Sequence, residues 1–68
     1  MSNLVNDQIM DNIVSDVADL SDVQVMMNLN DANVSKVSKF TGDKFYGADI
    51  NAYARDVLAQ QMFDDLGD

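Results

Sequence analysis

Residues 49 to 66 read DINAYARDVLAQQMFDDL, a segment that is apolar around more of a helix than one face requires. Ile50, Tyr53, Ala54, Val57, Leu58 and Met62 recur at helical spacing and form one stripe. Ala52, Ala59 and Phe63 fall on the side opposite Ile50. A helix that is apolar on two sides must be covered on two sides, and this requirement constrains the whole chain. Asp49 is a natural N-cap and Gly67 a natural stop, so the pattern predicts a helix over 49–66.

Two earlier segments also carry helical periodicity. In residues 4 to 20, Ile9, Met10, Ile13, Val14, Val17 and Leu20 fill one arc, with Asp7, Asp11 and Asp19 on the other side. Ser2 or Asn3 is positioned to cap this helix. In residues 21 to 41, Ser21 and Asp22 are cap candidates. Val23, Met26, Met27, Val34 and Val37 line one face if that segment is continuous, with Asn30 in the middle of the face. The run NLNDAN, residues 28–33, is the weak point: a buried polar position in one helix, or a break with Asp31 capping a second, shorter helix. Lys36 and Lys39 followed by Gly42 suit a helix C-terminus. The expected architecture is one all-α domain over 1–68, three helices in hairpin-like packing with the middle one broken or not near 28–33.

Three helices leave few ways to cover both sides of the last one, which turns Phe63 outward. The shortage is sharper because the usual staples of a small fold are missing. The 68 residues include no Cys and no His, so there is no disulfide and no thiolate or imidazole for a structural zinc. A core of this size supplies only about 3–5 kcal/mol unless something reinforces it. Close helix packing or association with another chain must do so.

The same absences bear on function. Without His or Cys, the commonest general bases and thiol nucleophiles are gone. Ser35, Lys36, Ser38 and Lys39 hold a Ser/Lys pairing that reads at helical spacing as a solvated face. Asp31, Asn33 and Ser35 imitate the start of a calcium loop, but Lys36 stands where its glycine belongs and Gly42 where its bidentate Glu belongs. GDKFYG, residues 42–47, lacks the Lys-Ser/Thr and preceding strand of a phosphate loop. No enzyme activity, cofactor or metal site is expected.

All 12 acids are Asp, against 4 bases, for a net charge of −8. That balance opposes direct contact with nucleic acid or an anionic membrane. No run of about 20 apolar residues is available to span a bilayer. The start, MSNLVNDQIMD, lacks the basic residues and apolar run of a secretion signal. The expected location is the cytoplasm or the inside of an assembled particle.

Two binding roles remain. The first rests on an apolar surplus: Met26, Met27, Phe45, Tyr46, Tyr53, Phe63 and Leu66 as a contact surface. Phe45 and Tyr46 lie between Gly42 and Gly47, in a turn that sends one ring inward and its neighbour outward. The chain would then be a non-enzymatic structural or assembly-accessory subunit of a homo- or hetero-oligomeric complex, a phage-type particle being one setting. The second uses Asp7, Asp11, Asp16, Asp19 and Asp22 as an acidic face that mimics nucleic acid and blocks a basic groove. Those acids sit on two edges of the first helix rather than in one row.

Overall fold

The fold is all-α. The computed structural model describes residues 2–42 and 50–67, with side chains described for 6–40 and 50–67. These form four helices: α1 (Ser2–Ala18), α2 (Asp22–Asn28), α3 (Asp31–Gly42) and α4 (Ile50–Leu66). Ser2 and Asn3 belong to α1 instead of preceding it as caps, and Leu20 lies beyond its end. Asp49, the expected cap of the last helix, lies outside the described residues, as do Phe45 and Tyr46.

The middle segment breaks at Leu29 and Asn30, and the break has a packing cause. Val25 and Leu29 are spaced i,i+4, as are core-facing pairs on any helix. In one continuous helix of 100° per residue they would face about 130° away from Val34 and Val37. Turning the chain at Leu29, whose backbone is extended (φ −73°, ψ 139°), lets both pairs face inward. Val25, Leu29 and Val37 are buried, and Val34 packs half-buried against them. The expected stripe of Val23, Met26, Met27, Val34 and Val37 is therefore split. On α2, Val23 and Met27 lie about 160° from Val25 on either side, and so they face solvent.

Local chemistry supports the break on both sides. Ser21 caps α2 with a reciprocal box: its Oγ accepts from the Gln24 amide (3.2 Å) and its own amide donates to Gln24 Oε1 (3.0 Å). Asn30, not Asp31, caps α3, its Oδ1 accepting from the Asn33 amide at 2.9 Å. Asp31 sits in the first turn instead, where a carboxylate suits the positive end of the helix.

α4 packs against each of the other three helices. Its buried residues, Ala54, Val57, Leu58 and Ala59, spread around much of its circumference, and Ile50, Tyr53, Met62 and Phe63 are half-buried against the same core. Ala59, read from the sequence as part of an uncovered second side, is 3% exposed. Phe63 is likewise packed against the core rather than free. α1 lies along this side: Ala59 is beside Val14, Val17 and Ala18, and Phe63 beside Asn6 and Ile9. On α1 the inward stripe is Ile9, Met10, Ile13 and Val17, spanning about 100°. Val14 lies at its edge and is 49% exposed. The tyrosine of α4 also has a partner: the Tyr53 ring stacks on Phe40 of α3, centroids 4.1 Å apart and planes at 17°.

Two long polar side chains of α4 hold the two turns. Arg55 donates through Nη2 to the Leu20 carbonyl (2.8 Å) and through Nη1 to Asp22 Oδ1 (2.7 Å), pinning the α1–α2 turn. The Leu20 carbonyl just past α1 thus gains a donor that the helix itself cannot supply. Gln61 holds the α2–α3 turn. Its Oε1 accepts from the Asn30 amide (2.9 Å) and Asn33 Nδ2 (2.8 Å), and its Nε2 donates to the Asn28 carbonyl (2.9 Å).

Replacing Gln61 with Met keeps the stem but removes all three bonds. The expected loss is about 1–2 kcal/mol, below the sum of three buried bonds because water reaches most of these groups. Urea unfolding followed by circular dichroism measures it. A Gln61→Met chain as stable as the parent would show that packing alone fixes the turn.

Candidate interaction face

The α2–α3 break creates an exposed apolar face. Val23 is 68% exposed, Met27 78% and Met26 36%. With half-buried Val34 they line a shallow depression bordered by Asp22 and by Asn51 at the start of α4. Large apolar side chains exposed together mark contact surfaces more often than those scattered singly. Methionine is suited to such a surface because its unbranched thioether adapts to irregular partners.

The residues expected to make one contact surface are distributed over separate places. Met26 and Met27 belong to this face. Tyr53 is engaged with Phe40. Phe63 lines a different depression, with Asn6, Ile9 and Leu66, near the opposite end of α4. Asn51 and Phe63 are about 18 Å apart along the helix axis at 1.5 Å per residue. Leu66 is 67% exposed but sits at that far end. Val23 and Val34 were not singled out as contact residues; an apolar residue about half a turn away from a buried Val25 is the signal that would have found Val23.

The acids are arranged as follows. Asp7, Asp11, Asp16, Asp19 and Asp22 are all exposed. Asp7 and Asp11 share a ridge of α1, whereas Asp16 lies about 180° around the axis from Asp7. Asp22 is bound to Arg55. The five carboxylates therefore make no single row. Asp31, Asn33 and Ser35 alternate around the first turns of α3, so they do not converge on one point, and Asn33 points its amide to Gln61. Among the described residues, no group of three or more carboxylates is placed to hold a metal ion.

A further depression of about 440 Å³ lies beside α4, with Asp16, Asn28, Gln61 and Asp65 as its polar lining. None of these is a nucleophile beside a base, and Asn28 and Gln61 are already joined in the α2–α3 clip. Ser35, Lys36, Ser38 and Lys39 are exposed along α3. Among the described residues, no helix is long and apolar enough to cross a membrane. No protein family, curated protein or solved structure matches the chain.

Proposed function

We propose that this chain is a non-enzymatic protein–protein interaction module, a small structural or assembly-accessory subunit that joins a larger complex through α2 and α3. The observation that carries the reading is the outward set of Val23, Met26 and Met27 on a helix whose other side is firmly buried. A fold with so small a core gains by burying every apolar side chain it can, yet this one places three on one open face. Association would cover them. The reading as an acidic mimic of nucleic acid draws less support, because its carboxylates are spread around α1 and Asp22 is held by Arg55.

The test is the size of the native assembly. In extracts of its source, the chain should elute well above its 7.5 kDa mass. The double variant Val23→Asp, Met27→Asp should elute as a monomer while melting within about 0.5 kcal/mol of the parent, as surface substitutions do. A parent chain that elutes as a monomer, or a variant that still elutes with the complex, removes this reading.

A further inference from the structure

We infer that the α2–α3 face docks a basic amphipathic helix of another protein, rather than a second copy of this chain. The inference rests on the interaction reading above and names the class of partner. Its apolar part is the shallow depression lined by Val23, Met26, Met27 and Val34. Such a surface accepts one apolar helix face through a few anchors at i, i+3, i+4 and i+7 spacing.

Charge gives the sign of the partner. Asp31, exposed, stands about one turn before Val34 on α3, and Asp22, one turn before Met26 on α2, is already paired with Arg55 at 2.7 Å, so Asp31 is the rim acid open to a partner. Residues 1 to 35, which include all of α1 and α2, contain no Lys or Arg. A docked helix that carries Lys or Arg beside its apolar anchors meets this carboxylate at the rim, where complementary charge sets partner choice and association rate.

The same features disfavour a second copy. Each chain carries a net charge of −8, so pairing two opposes like fields.

The test uses the full chain and two synthetic helical peptides with the same Leu anchors, one flanked by Lys and one by Glu. Titration at about 50 mM salt should show the Lys peptide binding at least tenfold more tightly, with the gap narrowing as salt screens the charges. Met27→Asp separates docking from mere attraction. It makes the chain more negative, so simple electrostatic coating predicts tighter binding to the Lys peptide, whereas docking on this face predicts a loss of tenfold or more. Asp31→Asn should weaken the Lys peptide and, by removing a like charge, slightly strengthen the Glu peptide, so that the Lys preference falls.

Equal binding of both peptides would overturn the choice of a basic partner and leave the interaction reading standing. Binding that rises in Met27→Asp, or no binding of either peptide, would overturn docking here; native elution then decides the interaction reading independently. A concentration-dependent dimer of the chain alone, lost in Met27→Asp, would assign the face to a second copy and overturn the inference.

Discussion

Val25→Asp should abolish folding, while Met27→Asp, two residues away, should leave it intact. Val25 is 1% exposed and Met27 78%. Among the described residues the buried set includes no polar or charged residue, so a carboxylate at position 25 would enter the core with no ready partner. An unpaired buried charge costs several kcal/mol even after the surroundings relax. The fold has only about 3–5 kcal/mol to lose. Circular dichroism should therefore show loss of helix and no cooperative melt for Val25→Asp at neutral pH. Met27→Asp should retain the parent spectrum and melt within about 0.5 kcal/mol of it. Equal damage from both changes would mean that α2 does not turn Val25 inward and Met27 outward.

Leu58→Ala should be the most damaging of the simple truncations. Leu58 is among the largest fully buried side chains and sits on the helix that all the others touch. Truncating a buried Leu costs about 2–5 kcal/mol, from lost transfer energy and the cavity left behind. With a urea slope of about 1 kcal/mol per molar for a protein this small, the unfolding midpoint should fall by about 2 M or more. Leu66→Ala, at a position 67% exposed, is the control and should move it little. If the two variants unfold at the same midpoint, α4 is not the central element.

Much of this arrangement was legible from residue spacing. Ile9, Ile13 and Val17 mark the inner face of α1, and the many-sided apolar surface of 49–66 marks a helix that needs several neighbours. The count of neighbours was harder. Reading 21–41 as one helix or a broken one leaves open whether α4 has two neighbours or three, and Ala59 and Phe63, expected on an uncovered side, lie beside α1.

The break also inverted the reading of α2. Val23, Met26, Met27, Val34 and Val37 form a stripe on an uninterrupted helix, with Asn30 in its middle as the one local sign against it. The competing pair, Val25 and Leu29, wins through burial against α4, a tertiary contact that a one-dimensional pattern does not contain. NLNDAN did flag the turn, since Asn and Asp are cap and turn residues. It pointed to Asp31 as the cap, one residue late, because Asn and Asp side chains accept the same bond and Asn30 takes that place.

The clips were hidden for a different reason. A lone Arg55 and a Gln61 on an acidic, apolar helix look like ordinary surface residues. Their meaning depends on where the carbonyls of Leu20 and Asn28 arrive. Of the candidate contact residues, Phe45 and Tyr46 lie outside the described residues, and the remaining five divide between the α2 face, the Phe40 stack and the far end of α4.

The central claim is that the turn at Leu29 and Asn30 buries Val25 and thereby leaves Met27 facing outward. Methionine oxidation reads this directly. The dilute chain is treated briefly with peroxide, digested and analysed by mass spectrometry for sulfoxide at each site. Oxidation follows exposure of the thioether. Among the four methionines of the described residues, Met27 should oxidise first and Met26 next, with Met10 and Met62, half-buried against the core, the slowest. Met27 as protected as Met62 would contradict it, placing that side of α2 inside the fold and removing the exposed face on which the interaction reading stands.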